Sequence, residues 1–176
     1  MVAIRRTAVW KRCCLEKMKG GAKMHWDKIL FTTDFSTISD AALDLASSLA
    51  RDSGATLIIA HIEEPRLAYD GFAYYGLPDP TVDQQKEMLQ RVIPRDPKVT
   101  YEHRIAAGAP ADAICRLAEE EQVDLIVMGS HGRTGVQRVL MGSVAEAVVR
   151  HANCPVLTYK SRASEAKETT ESQPSV

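Results

Sequence analysis

The run from Gly129 to Ser143, GSHGRTGVQRVLMGS, holds four glycines and two serines together with Arg133 and Arg138, and no acidic or aromatic side chain. Gly129, Gly132 and Gly142 follow the spacing G-x2-G-x9-G-S. Glycine lets main-chain N–H groups turn toward a ligand without interference from a Cβ, and a helix amino terminus adds unsatisfied donors with partial positive charge. That combination suits phosphate. Ser130 and Ser143 can donate hydroxyl hydrogen bonds, Ser143 doubling as a candidate N-cap, and the two arginines supply charge. Asp34, in the stretch TTDFS, could accept from a ribose hydroxyl, as an acidic residue does in dinucleotide sites. The plainer alternative is that the glycines serve only a tight turn and Ser143 only caps a helix; spacing alone leaves the two readings level. No G-x4-G-K-[ST] run is present, which argues against a P-loop nucleotidase, and no G-x-G-x-x-G follows the first apolar run, which weakens a Rossmann dinucleotide site.

Little else could catalyse. His131 lies inside the glycine run with no evident carboxylate to orient it, so it is expected to shape the loop. His61, at the end of an apolar run, is expected to be packed or hydrogen-bonded near a sheet. His25, His103 and His151 form no spacing with carboxylates that suggests a metal site. Phosphoanhydride hydrolysis needs a positioned water and usually a metal, and Asp34 is the one plausible acidic neighbour. Slow or absent turnover is the expectation.

Elements must bring Asp34 and the glycine run together, and the chain supplies them in alternation. Ile29 to Thr33 reads as a buried strand that runs into Asp34, and Ser36 or Ser39 can cap the helix after it. Ala42, Leu45, Ala46, Leu49 and Ala50 are predicted to form its sheet-facing stripe, with Gly54 ending it. Ala55 to Ile62 is a second continuous apolar strand. Residues 63 to 97 are broken by Pro65, Gly71, Gly76, Pro78 and Pro80 and are rich in tyrosine; a helix is predicted from about Thr81 to Ile93. Val99 to Ala106 reads as a strand, Pro110 to Glu121 as a helix with Ile114, Leu117 and Ala118 inward, and Asp124 to Met128 as a strand. Ser143 to His151 is the last helix, and Pro155 to Lys160 the last strand. Such alternation predicts an α/β fold, an open, five-stranded, mainly parallel sheet with helices on both faces. Ligands then bind beyond the carboxyl ends of the strands, where the strand order reverses, which sets Asp34 beside the loop from Gly129.

The 176 residues suit one domain, and no stretch is long and apolar enough to span a bilayer. Cys13, Cys14, Cys115 and Cys154 form no C-x-x-C pair, so no disulfide framework or zinc site is indicated and a reducing cytoplasm fits. Residues 1–23 carry seven basic residues against Glu16, a balance of +6, leaving −7 on the rest of a chain whose net charge is −1. A mildly acidic body argues against nonspecific DNA binding. Residues 1–24 are expected to be a poorly ordered basic extension, Met24 being a candidate start; 25–160 to be the folded domain; and 161–176 to be a disordered polar tail.

The segments KILFTTDFS, LIIAHIEEP, AAGAPADAICRLAEEEQVDLIVMGSHGRTG and LMGSVAEAVVRHANCPVLTYK, taken in order, resemble the universal stress protein family, and the G-x2-G-x9-G-[ST] motif resembles that of its ATP-binding branch. The resemblance implies an adenine nucleotide alpha hydrolase-like, Rossmann-like domain, usually dimeric, holding ATP at the carboxyl edge of its sheet, with Mg²⁺ or Mn²⁺ carried on the phosphates. By position it implies that Thr32, Thr33 and Asp34 lie by the adenosine and that Ile62 contacts the adenine. Met128 and Gly129 would lie under the ribose and α-phosphate. Gly132, Arg133, Gly142, Ser143 and Val144 would wrap the phosphates, with Ser130 and His131 in the same loop. Many members carry proline where Thr32 stands. A homodimer through Val156, Leu157 and Tyr159 of the last strand is expected, since an exposed edge is normally paired or protected. The implied role is a nucleotide-dependent switch or stabiliser in a cytoplasmic stress response. A weak ATPase and a dimeric interaction module without nucleotide are the alternatives.

Overall fold

The computed structural model describes residues 25–64, 82–130 and 141–160. The basic arm, the tyrosine-rich crossover, residues 131–140 of the glycine run and the polar tail lie outside the described residues. Among the described residues five strands form one sheet: β1 (Lys28–Thr32), β2 (Thr56–Glu63), β3 (Tyr101–Ala107), β4 (Leu125–Gly129) and β5 (Val156–Tyr159). Four helices alternate with them: α1 (Thr37–Ser53), α2 (Val82–Gln90), α3 (Pro110–Glu120) and α4 (Ser143–His151). The sheet order is β3-β2-β1-β4-β5, and every pairing is parallel. Because β1 pairs with both β2 and β4, the strand order reverses at β1. The predicted doubly wound architecture is the one observed.

Side-chain alternation along the central strands makes two cores, one per face. Ile29 and Phe31 of β1, Leu57 and Ile59 of β2, and Leu125 and Val127 of β4 pack on one face with Ala42, Leu43, Ala46 and Ala50 of α1 and Leu89 of α2. Leu30, Ile58, Ala60, Ile126 and Met128 point the other way, onto Ile114 and Leu117 of α3 and Ala145 and Val148 of α4. This is the period-two geometry of a strand covered on both sides. Each fully buried large side chain of this kind contributes about 1.5–3 kcal/mol.

Local signals set the helix ends. Ser36 is the N-cap of α1, in extended conformation, its hydroxyl accepting from the N–H of Ser39, so of the two candidate caps the structure uses Ser36. Gly54 ends α1 in the left-handed region at φ +76°, which glycine adopts without a Cβ penalty. Pro110 opens α3, where a missing N–H costs nothing.

Several details differ from the sequence expectation. The buried stripe of α1 is Ser39, Ala42, Leu43, Ala46, Ser47 and Ala50, with Leu45 and Leu49 on its flank. Two inward serines disguise the true face. α2 ends at Gln90, three residues before Ile93, and β3 begins at Tyr101 and not Val99. Gly142 is the N-cap of α4 and Ser143 its first helical residue, so Ser143 does not cap.

Polar contacts at the amino ends of the strands tie the layers together. Asp124 Oδ2 accepts from the N–H groups of Asp27 at 2.7 Å and Lys28 at 3.2 Å. Lys28 Nζ donates to Glu121 Oε2 at 3.1 Å, and Arg104 Nε to Glu121 Oε1 at 2.8 Å. One carboxylate at the end of α3 thereby anchors β1 and β3. Among the described residues, no helix is long and apolar enough to cross a membrane.

Candidate functional site

The site grows from the tip of β1. Thr32 and Thr33 are buried, at 8% and 5% exposure, and the Thr33 N–H donates to Ala60 O at 2.9 Å, extending the β1–β2 ladder by one bond. The chain then reverses through Phe35, which holds φ +62°, a conformation a bulky side chain rarely adopts. The Phe35 N–H donates to Thr33 Oγ1 at 3.0 Å, and its ring lies 4.4 Å from the His61 ring, centroid to centroid. His61 is buried at the end of β2, with Nδ1 2.8 Å from Thr33 O. It is packed and hydrogen-bonded beside the sheet, as its position suggests.

The reversal folds Asp34 back over the start of α1. Oδ1 of Asp34 accepts from Ser36 Oγ at 2.6 Å, from the Ser36 N–H at 3.1 Å, and from Ser39 Oγ. Three donors on one carboxylate oxygen hold the side chain in place.

Beside it, β4 delivers the glycine run. Thr32 is the register partner of Met128, so Asp34 and Gly129 leave adjacent strands at the same edge. The Ser130 N–H donates to Tyr159 O at 2.7 Å, which ties the root of the loop to β5. The Gly142 N–H donates to Ser130 O at 2.7 Å, so the two ends of the loop are clasped and α4 starts directly beyond β4. Gly142 caps α4 with no side-chain hydrogen bond. The first N–H groups of a helix find no acceptor within it, and Gly142 has no side chain to offer them one, so the start of α4 carries partial positive charge just beyond β4.

Apolar surface completes the arrangement. Met128 belongs to the core on the α3–α4 face, and Ile62, Met141 and Val144 pack against that same cluster. Of the residues singled out by sequence, the structure therefore brings together Thr32, Thr33, Asp34, Met128, Gly129, Ser130, Gly142, Ser143 and Val144, with Ile62 on the neighbouring strand. His131, Gly132 and Arg133 lie outside the described residues. Phe35, Ser39 and Met141 were not anticipated as parts of the site. The spacing Asp34-x-Ser36-x2-Ser39 is the signal that could have found Ser39.

The described residues thus set a held carboxylate at the tip of β1 and the start of α4 beyond the tip of β4 on the same edge of the sheet, with Met128 in the core beneath. Among the described residues no group of three or more His, Cys, Asp or Glu could hold a metal ion. Cys115 on α3 is no ready nucleophile, since burial first, and then Asp112 and Glu119, push its thiol above its ordinary value. An open groove lined by Phe35, Leu43, Met88 and Val92 with Asp44 and Arg95 runs between α1 and the end of α2, meeting the site only at Phe35.

A sequence profile of the universal stress protein family matches residues 25–160. Universal stress protein MJ0531 of Methanocaldococcus jannaschii is 32% identical over 146 residues, a match spanning 77% of this chain and 82% of that one. The solved structure of MJ0577, from the same organism, superposes with a TM-score of 0.64 at 27% identity, covering 77% of this chain and 96% of its own. A universal stress protein crystallised in complex with cAMP superposes with a TM-score of 0.52 at 29% identity, covering 77% and 98%.

Proposed function

The chain belongs to the universal stress protein family, and from that premise we propose that it binds an adenine nucleotide, ATP in the first instance, across the tips of β1 and β4. The observation that carries this reading is the juxtaposition, at the reversal of strand order, of the held Asp34 carboxylate with the clasped start of α4, whose glycine cap supplies no side-chain acceptor. Ligands of open parallel sheets occupy that crevice. The phosphates take main-chain donors from Gly142, Ser143 and Val144, joined by Ser130 and by His131, Gly132 and Arg133 of the loop. Asp34 accepts from the ribose beside Thr32 and Thr33. The base and sugar lie along Ile62, Met128 and Gly129. The complex of a family member with cAMP supports a site built for ribose, base and phosphate together.

Mg²⁺ or Mn²⁺ would be carried on the phosphates, where it would neutralise part of their charge. The chain's residues bind and orient; none is assigned to break a phosphoanhydride bond. In this reading the nucleotide stabilises or switches a conformation in a cytoplasmic stress response, and the protein works as a homodimer through Val156, Leu157 and Tyr159. β5 lies at an edge of the sheet, which is the placement such pairing needs.

The direct experiment is mass spectrometry of small molecules released on denaturing protein purified without added nucleotide, followed by titration with ATP and Mg²⁺, AMP and cAMP. Recovered adenine nucleotide or micromolar binding is expected. Gly132→Val is expected to abolish binding while leaving the circular dichroism spectrum unchanged; unaltered affinity would remove the loop from the site. Protein that is empty and ignores all three nucleotides leaves the non-nucleotide interaction module as the surviving reading.

A further inference from the structure

We propose that Ser39 is a positioning residue for ligand binding: its buried hydroxyl holds Asp34 by both carboxylate and main chain, so the acid is oriented before a ligand arrives. The inference rests on the reading of Asp34 as a contact of the bound nucleotide.

Ser39 is only 3% exposed and lies in the first turn of α1. A helical serine commonly returns its hydroxyl to a carbonyl one turn back. Ser48 does so to Asp44 O at 3.0 Å and Ser53 to Leu49 O at 2.7 Å. Ser39 behaves differently. Its Oγ donates to Asp34 Oδ1 and receives the Asp34 N–H at 3.4 Å, gripping the residue at two points. Ser36 also reaches Oδ1, but its hydroxyl accepts from the Ser39 N–H as the helix cap, so it serves α1 as well as Asp34.

The turn between them is built to permit this contact. Phe35 at φ +62° bends the chain so that a side chain two residues before the cap meets the first helical turn. A bulky residue persists in that region only where its surroundings over-determine it, and such positions gather at functional sites. Here the His61 ring and Thr33 Oγ1 supply the restraint. A carboxylate already held in one rotamer loses little freedom when a ligand binds, whereas a free one must be ordered at that moment.

The test is a double-mutant cycle on the intact chain, using Ser39→Ala, Asp34→Ala and both together, with ATP affinity measured by calorimetry and thermal unfolding measured without nucleotide. Ser39→Ala is expected to weaken ATP by about fivefold at a nearly unchanged melting temperature. In the Asp34→Ala background the same change is expected to do nothing more. Wild-type affinity in Ser39→Ala, or an equal loss in both backgrounds, overturns the proposal. Should Ser39→Ala be unstable, Ser39→Thr and Ser39→Val make the same comparison. Binding kept by the hydroxyl-bearing variant alone is expected, and equal affinities overturn it. Wild-type and Asp34→Ala proteins that bind ATP equally sink this inference and leave nucleotide binding standing, whereas a wild type that binds no ATP brings down both.

Discussion

Glu121 shows how much one side chain can hold. It accepts from Arg104 and Lys28, which reach it from two different strands, and the Arg104 contact first and Lys28 second keep its carboxyl below its ordinary value of 4.5. A carboxyl depressed on folding contributes stability above its unfolded value, and that contribution is lost as pH falls through the folded value. Glu121→Gln is therefore expected to lower stability by about 0.5–1 kcal/mol at pH 7. The gap from wild type in urea midpoint should narrow below pH 4.5 and close at lower pH. A gap of constant size across that range would mean that packing, and not charge, does the anchoring. At this scale the sequence was uneven in what it revealed. Asp34 and Gly142 could be picked out because type and spacing alone mark a strand tip and a helix start. Ser39 is marked by its spacing from Asp34 and Ser36, but its two-point grip on Asp34 is not, since that depends on Phe35 entering the left-handed region, and no local rule sends a phenylalanine there.

Among the elements, the strands were the most legible. Ile29–Thr32, Leu57–Ile62 and Leu125–Met128 are short apolar runs bounded by polar residues, and a sheet covered on both faces demands that composition. The face of α1 was harder to read, because Ser39 and Ser47 point inward where a hydrophobic pattern expects carbon. α2 was harder still: its mostly polar sequence buries a single side chain, Leu89, on the α1 face of the sheet. That thin anchorage yields a prediction for the element alone. Leu89→Ala is expected to cost about 2–4 kcal/mol. Amide exchange should accelerate in residues 82–90 well before it does in β1. Uniform acceleration across the sheet would show α2 to be part of the central cooperative unit.

Across the whole molecule, the reversal of strand order at β1 explains why residues almost a hundred positions apart meet at one edge of the sheet: Thr32 and Met128 are register partners. Alternation of strands and helices made this legible before any coordinates, because right-handed crossovers leave few other sheet orders. A ligand bound there draws on both halves of the chain and on β5 through the Ser130–Tyr159 bond. ATP at a hundredfold excess over its dissociation constant should therefore add about 2.7 kcal/mol to global stability. Its melting temperature should rise with nucleotide concentration, and a flat response would argue against binding to the folded form alone. The β5 edge makes a second whole-molecule prediction, a dimer by light scattering at micromolar concentration, with a persistent monomer speaking against pairing through Val156, Leu157 and Tyr159.

The central position of β1 also matters during biosynthesis. Ile29 leaves the ribosome 96 residues ahead of Leu125, its partner on β4. At about 5–20 residues per second, that leaves β1, whose Ile29, Leu30 and Phe31 are fully buried in the finished sheet, half-covered for roughly 5–20 seconds. Among the strands of this sheet β1 thus waits longest for its second neighbour, and this interval is when the nascent sheet is most exposed to aggregation and most in need of a chaperone.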